Sequence, residues 1–487
     1  MNQSLNNWEK IVQTFQHIWG YEDFRYPQKE IIQCLLESQD ALIVMPTGGG
    51  KSLCFQLPAL LNEGLILVIS PLVALMENQV YDLKNRQLPA ELLHNEIPRD
   101  QKKITLQKIK NNQLRLLYLS PETLLINSVW QVLVSPDVKI NGLILDEAHC
   151  LVQWGETFRP AYRRLGAVRT ALIEQKAPHT KIAIAAFTAT ANPQSQGIIE
   201  RVLQLENPQI FCLSPYRSNL NLNVKIAWTP RCRRDLILQF IKPRKRQSGL
   251  IYVRSRRDSE ILTQWLQSVN YKVGAYHAGL SPQKRREIEN KWLEESLQFV
   301  VCTSAFGLGI NKANVRWIIH FQSPYLLSEY LQEIGRGGRD GNPAHALTLM
   351  SEPTGWLDPS DQQRDKYLKQ QLQKQYQQVK QLIKQIPKQG EINAITQQFT
   401  QGKIILSLLH SAGQLEWIDP FNYRLKTNIS TINLSQLQSS QNEPLKQMRQ
   451  YLYTKKCRWQ FLLEAFGFKE EAKEFKCGHC DNCHRQS

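Results

Sequence analysis

The sequence predicts an α/β protein with two doubly wound parallel-sheet domains in tandem, followed by a helical segment and a small metal-binding module. Short apolar runs alternate with helical segments twice over, and strands that are apolar on both faces between helices form parallel sheets. The runs of the first set end in polar or turn-forming clusters, and ligands of such sheets gather beyond the carboxyl ends of the strands. Four of the ten cysteines crowd into the stretch from residue 457 onward, at spacings suited to a metal.

Length and composition set the bounds. At 487 residues the chain is too long for one ordinary core, and 42% hydrophobic with 21% charged residues is a globular composition. No apolar run is long enough to span a bilayer, and the opening Met1-Asn-Gln-Ser-Leu-Asn-Asn-Trp8 lacks a basic-then-apolar leader pattern, which implies residence in the cytoplasm. The net charge of +17 and pI of about 9.4 favour a polyanionic partner. No segment joins a basic face to a lipid-facing stripe, so the expected partner is nucleic acid and the expected place is the nucleoid. Cys34, Cys54, Cys150, Cys212, Cys232 and Cys302 are scattered among apolar segments and read as reduced core residues.

Taken in order, Trp8, Ile11, Val12, Phe15, Ile18 and Trp19 recur at helical spacing and predict an amphipathic helix capping the first domain. In Phe24-Arg25-Tyr-Pro-Gln28 the glutamine amide can donate and accept at once, which matches the edge of adenine. The apolar run Ala41–Met45 reads as a buried strand, and Met45-Pro-Thr47-Gly48-Gly49-Gly50-Lys51-Ser52 after it reads as a phosphate loop opening a helix. Glycines let backbone N–H groups turn toward phosphate oxygens, Lys51 suits the β- and γ-phosphates, and the Ser52 hydroxyl suits Mg²⁺. A strict loop of this kind has glycine where this chain has Met45.

Further strands are predicted at Leu65–Ile69, Leu116–Leu119, Leu143–Leu145 and Ile182–Ala186, the last followed by Thr188-Ala-Thr190. The second set is Leu250–Val253, Lys272–Tyr276, Phe299–Cys302, Trp317–His320 and Ala346–Leu349, with a domain boundary near Asn207-Pro208. Residues 361–386 are rich in Gln and Lys with sparse apolar positions and predict a long solvated helix ending at Pro387. Residues 388–427 read as helix, helix, then hairpin, the order of a winged helix, with a small helical packing domain as the equal alternative.

Two motifs carry chemistry beside the loop. Asp146-Glu147-Ala-His149 follows a buried strand, so that Asp146 can hold Mg²⁺ and Glu147 can polarise the attacking water. Gln332-Glu-Ile-Gly-Arg336-Gly-Gly-Arg339 puts two arginines three apart beside a glycine turn, placed to neutralise charge on phosphates held by the first domain. At the C-terminus, Cys457 and Cys477-Gly-His-Cys480-Asp-Asn-Cys483 suit a structural Zn²⁺ site better than a disulfide, with His479 and His484 as other candidate ligands.

Together, Met45–Ser52, Asp146–His149, Phe187-Thr-Ala-Thr-Ala191 and Gln332–Gly341 resemble the motif set of superfamily 2 helicases, and the details resemble the RecQ family of DNA helicases. Four features carry that closer resemblance: Phe24–Gln28; Cys150–Pro160 with Trp154, Phe158 and Arg159; Ala305–Lys312; and the C-terminal cysteines. The resemblance implies two RecA-like motor domains, ATP with Mg²⁺, DNA as the track and 3′→5′ movement. It implies ATP contacts by Arg25, Gln28, Thr47, Gly48, Gly49, Gly50, Lys51 and Ser52, with Mg²⁺ held by Ser52 and Asp146. Catalytic roles are implied for Lys51, Asp146, Glu147, Gln332, Arg336 and Arg339, and coupling of DNA binding to hydrolysis for His149, Trp154, Phe158 and Arg159. It also selects Cys457, Cys477, Cys480 and Cys483 as the Zn²⁺ ligands.

The chain departs from the family pattern, in which the cysteine module follows the second motor domain directly and a winged helix comes after it: roughly ninety residues intervene here, so the winged helix is expected either before the module or not at all. The expected organisation is 1–208 and 209–352 for the two motor domains, 353–387 for a linker, 388–440 for the winged-helix-like segment and 441–487 for the zinc module. The competing readings are an RNA helicase, a translocase that does not separate strands, and a non-catalytic zinc protein that binds nucleic acid. Intact Lys51, Asp146, Glu147, Gln332, Arg336 and Arg339 weigh against the last.

Overall fold

A computed structural model describes residues 2–152, 159–306, 312–426 and 434–485. It forms two compact units, Met1–Leu213 with Gln378–Leu437 and Ser214–Gln377 with Gln438–Ser487.

In the first unit the apolar runs become β1 (Ala41–Val44), β2 (Leu65–Ile69), β3 (Ala90–Leu93), β4 (Leu116–Leu119), β5 (Ile140–Leu145), β6 (Ala183–Thr188) and β7 (Gln209–Cys212). They pair in parallel in the order β3-β4-β2-β5-β6-β1-β7. Side chains alternate between two cores: Leu42, Val44, Leu65, Leu67 and Ile69 pack on one face, and Ala41, Ile43, Ile66 and Val68 on the other. The first sheet thus continues past residue 208, because β7 pairs with β1. Its mostly exposed side chains mark an edge strand, which has no buried run to reveal it in the sequence.

Buried Asp40, just before β1, ties three distant segments together. Its carboxylate accepts from Arg169 Nη1 at 2.6 Å, Ile184 N–H at 2.8 Å and Glu206 N–H at 2.7 Å, and its carbonyl accepts from Gln209 N–H at 2.9 Å. Charge-assisted bonds from two backbone donors and a buried guanidinium give both carboxylate oxygens a partner where water is excluded.

The segment 388–426 forms a small antiparallel sheet in this unit, with β14 (Gln389–Glu391), β15 (Leu415–Trp417) and β16 (Asn422–Leu425) in the order β14-β16-β15. Helices Ile392–Gln398 and Gly402–Ser411 lie between β14 and β15, giving the strand, helix, helix, strand, strand order of a winged helix. It docks on the one-turn-after-another helical stretch Pro160–Ala167: Ser407 Oγ donates to the Pro160 carbonyl at 3.4 Å and Arg164 Nε to the Pro420 carbonyl at 2.5 Å. The Arg164 guanidinium also lies 5.5 Å from the Phe421 ring centre, and Trp130 meets Phe421 edge to face.

The second unit repeats the architecture with β8 (Leu220–Ala227), β9 (Ser248–Tyr252), β10 (Val273–Tyr276), β11 (Phe299–Cys302), β12 (Val315–His320) and β13 (Ala344–Ser351). These are parallel, in the order β10-β11-β9-β12-β13-β8. Edge strand β8 is covered by the C-terminal module: Trp459 Nε1 donates to the Leu220 carbonyl at 3.1 Å, and the Val224 N–H donates to Asp481 Oδ2 at 3.1 Å. The predicted long helix is Ser360–Leu382, and no helix among the described residues is long and apolar enough to cross a membrane.

Removing the Asp40 carboxylate takes the buried partner from Arg169, which keeps only the exposed Glu206 as a charged partner, and leaves the Ile184 and Glu206 N–H groups without their acceptor, at about 1–3 kcal/mol for each buried group left unsatisfied. Asp40→Ala is therefore expected to lower the melting temperature by several degrees, and calorimetry showing an unshifted transition counts against this anchoring role.

Candidate active site

The phosphate loop follows β1, Thr188 ends β6 and Asp146 follows β5, so three neighbouring parallel strands deliver their ends to one edge of the first sheet. Gly50 takes a left-handed φ of 78° and caps the helix Lys51–Leu61. A Cβ there would stand 2.3 Å from Gln28 Nε2, so only glycine fits the close approach of these two segments. Lys51 Nζ donates back to the Met45 carbonyl at 3.0 Å, and Ser52 Oγ accepts from Gln79 Nε2 at 3.0 Å. A curled loop with Gly48 and Gly50 at left-handed φ values that favour glycine, a lysine folded over it and a hydroxyl at the helix start are what a triphosphate and its cation require.

Gln28 is buried, with both ends of its amide engaged: Oε1 accepts from the Arg25 N–H at 2.9 Å and Nε2 donates to the Gly49 carbonyl at 3.1 Å. The residue expected to meet adenine therefore also fixes the phosphate loop.

Asp146, Glu147 and His149 are all buried. Glu147 sits at φ 53°, a left-handed backbone uncommon for a non-glycine residue and frequent at functional sites. Its N–H donates to Asp146 Oδ1 at 3.0 Å, and its Oε2 lies 3.1 Å from His149 Nδ1, which is also 3.2 Å from Thr188 Oγ1. Burial, then the Glu147 charge, push the Asp146 carboxyl above its ordinary range, while Lys51 pulls it back down. Burial opposes a charged His149, but Cys150 and Glu147 outweigh it and raise the imidazole. The acids are thus crowded against each other in a site where a cation is favourable, which fits Mg²⁺.

In the second unit, helix Leu327–Ile334 carries Gln332 and leads into a turn holding Arg336 and Arg339. Gly338, at φ 55°, makes that turn: its N–H donates to the Val315 carbonyl at 2.8 Å, and a Cβ would stand 2.5 Å from the Asn342 carbonyl. Arg336 is buried beside Tyr252, and burial with repulsion from Arg336 lowers Arg339 to about 10. Two guanidinium groups held this close favour an anion between or beside them. Beneath them, Arg254 grips Glu333 with both nitrogens at 3.0 and 2.7 Å, and His320 Nε2 lies 3.0 Å from Glu333 Oε2. Burial alone would raise Glu333, but Arg254 and His320 bring it down to about 2.

The sulfur atoms of Cys457, Cys477, Cys480 and Cys483 all lie within 4.8 Å of one another, with 3.9 Å between Cys477 and Cys483 and 4.0 Å between Cys480 and Cys457. Tetrahedral Zn²⁺ with bonds near 2.3 Å sets its sulfurs about 3.8 Å apart, so this donor set fits the ion. Among the described residues it is the one such cluster of metal-ligating side chains, and neither His479 nor His484 belongs to it.

Trp154 and Phe158 lie outside the described residues, as do 307–311 of the Ala305–Lys312 motif. Arg159 is described and pairs with Glu122 at 3.4 Å. Sequence reasoning missed Gln79, Thr188 as a partner of His149, and the Arg254–Glu333–His320 group. Glu333 lay inside a motif already singled out, but nothing in the sequence pointed to its partner 79 residues upstream.

Three family models match the chain: DEAD/DEAH box helicase over residues 25–199, helicase conserved C-terminal domain over 232–341, and RecQ zinc-binding over 423–484. The chain is 50% identical to the ATP-dependent DNA helicase RecQ of Synechocystis sp. over 479 residues, 98% of each chain. It is 30% identical to the ATP-dependent DNA helicase RecQ of Bacillus subtilis over 471 residues, covering 96% of this chain and 66% of that one. In fold it is similar to S. cerevisiae Dbp5 bound to RNA and ADP BeF3, with a TM-score of 0.58 at 15% identity over 73% of this chain and 90% of the other. Matches at both motor domains and at the cysteine module, with half of all residues shared along almost the whole length of a relative, have one reading: the chain belongs to the RecQ family of DNA helicases.

Proposed function

We propose that the chain is an ATP-dependent DNA helicase that moves 3′→5′ along single-stranded DNA and separates duplex ahead of it, in DNA repair or recombination. The observation that carries the reading is the convergence of the phosphate loop, Asp146, Glu147 and Thr188 at the carboxyl edge of one parallel sheet in a RecQ-family chain. DNA, not RNA, is the track of the relatives that match most of its length.

Roles follow from chemistry. Thr47, Gly48, Gly49 and Gly50 wrap the phosphates, Lys51 neutralises them, and Arg25 and Gln28 hold the base. Ser52 and Asp146 hold Mg²⁺, which offsets charge on the phosphate oxygens when bound. Glu147 orients the attacking water and takes its proton, and His149 carries the Glu147 contact to Thr188 at the end of β6. Gln332, Arg336 and Arg339 stabilise charge as the terminal phosphoryl group leaves. Trp154, Phe158 and Arg159 engage bases and phosphates of the track. Cys457, Cys477, Cys480 and Cys483 hold a structural Zn²⁺ that seats the C-terminal module on β8.

Strand displacement on 3′-tailed and 5′-tailed duplexes tests the reading: the 3′-tailed substrate is expected to open with ATP and the 5′-tailed one to stay closed. Equal opening of both, or ATP turnover with no opening, overturns it, and turnover stimulated by RNA alone favours an RNA track. Lys51→Ala is expected to lower ATP turnover by about 10²-fold or more, as loss of a charge aimed at the transition state does. Cys477→Ser should lose its zinc by elemental analysis and most of its soluble yield. A wild-type zinc content in that variant removes Cys477 from the ligand set.

A further inference from the structure

The stretch Ser214–Leu220, entering β8, runs from the cysteine module to the arginine turn. On the module side, the Tyr216 ring meets Phe475 at 4.9 Å and Trp459 at 5.3 Å edge to face, and its hydroxyl lies 3.4 Å from His479 Nε2. One residue on, Arg217 faces the opposite way. Its Nη1 donates to the Gly335 carbonyl at 3.3 Å and its Nη2 to the Gly338 carbonyl, so one guanidinium grips the backbone on both sides of Arg336. Asn219 Nδ2 adds bonds of 2.8 Å to the Gly338 and Asn342 carbonyls.

A second tie meets the same segment from behind. Tyr451 donates to the Tyr330 hydroxyl at 2.8 Å, and Tyr330 lies on the helix that leads into Arg336. Tyr451 is anchored by Arg458, whose Nη1 donates to its carbonyl at 2.6 Å while the Arg458 N–H donates to Cys480 Sγ at 3.4 Å. The arginine turn is thus held at both ends by groups seated on the cysteine cluster.

A guanidinium half-buried beside Arg339 is unfavourably placed for its charge, and the bonds to two loop carbonyls, with the Asp340 carboxylate nearby, offset it. A planar fork sets two carbonyls at a fixed separation, which an ammonium cannot do. We propose that Arg217 is a positioning residue for ATP turnover, setting the Arg336–Arg339 turn by its carbonyls, and that the zinc module sets Arg217 through Tyr216. This rests on the reading that Arg336 acts in turnover. Arg217 itself touches neither nucleotide nor track in this role.

The test uses the full chain with saturating single-stranded DNA. Arg217→Ala is expected to lower kcat about tenfold or more while KM for ATP, zinc content and melting temperature stay near wild type, because misplacing a transition-state group costs rate and not ground-state binding. Millimolar methylguanidinium is expected to restore part of the loss, and Arg217→Lys to resemble Arg217→Ala. Tyr216→Leu, which cuts the module side and spares Arg217, is expected to give the same selective loss of kcat with zinc still bound. Unchanged kcat overturns the proposal, as does a loss that follows falling zinc content and is not rescued. If Arg217→Ala does not fold, Arg217→Lys and Tyr216→Leu decide by the same readouts. Arg336→Ala in parallel separates the two claims: retained turnover there overturns the role of Arg336, whereas loss there beside normal Arg217→Ala turnover overturns only the positioning role.

Discussion

Burying parallel strands on both faces leaves their chemistry nowhere to go but the ends. In β1, β2, β4 and β6 every side chain is buried, so no polar group along these strands reaches solvent. The polar groups of the site stand at the strand ends: Thr188 is the last residue of β6, paired with Val44, while Lys51 and Asp146 follow β1 and β5, strands that are neighbours of β6 in the sheet although far apart in sequence. The second unit obeys the same constraint but uses it differently. Its helix Leu327–Ile334 is fixed from below by a buried carboxylate, Glu333, that satisfies Arg254 and His320 together. Such a group is costly to desolvate, and complete pairing is what makes it tolerable.

That constraint explains what could be read before any coordinates. Wholly apolar runs announce central strands, and residues with distinctive chemistry fall immediately after them, so β1, β2, β4, β5 and β6 and the motifs at their ends were legible. So were the four cysteines, whose close spacing at the end of the chain suits a metal ion. The strands that escaped notice are those at sheet edges. β3 carries Glu91, β7 is largely exposed and β8 alternates Leu with Asn, because an edge strand needs only one buried side. Asp40, Arg169, Arg254 and Gln79 escaped for another reason. Each works through a partner brought near only by folding, and an isolated Asp, Arg or Gln looks like any solvated residue.

The supports of the two sets of site residues also differ in kind. On the phosphate side they come from nearer in the chain: Gln28, itself held by the Arg25 N–H, reaches the Gly49 carbonyl across 21 residues, and Gln79 reaches Ser52 across 27. On the arginine side they are remote, arriving from β9, from the entry to β8 and from the cysteine module. A cradle for phosphate depends on backbone geometry and can be built from one turn. Aiming a long, flexible arginine takes packing and hydrogen bonds on several sides, and these come from separate elements.

The segment 388–426 shows that an element order can identify a fold and leave its use open. In a winged helix that reads DNA, the second helix enters the major groove while the hairpin tip lies along the backbone. Here the second helix, Gly402–Ser411, buries Ile405, Leu406, Leu408 and Leu409 and sends Ser407 to the Pro160 carbonyl. The hairpin tip gives the Pro420 carbonyl to Arg164 and the Phe421 ring to Trp130. Part of each surface that would meet DNA is thus engaged inside the first unit, while Lys403 and Ile418 stay exposed. Arg164 makes this docking firm: it is buried, its charge is satisfied by a carbonyl and lies over an aromatic ring, and withdrawing the tip would leave it unpaired in an apolar setting. A groove-reading role would require those contacts to break first, so in the docked form the module acts as a brace for the helical stretch that begins at Pro160.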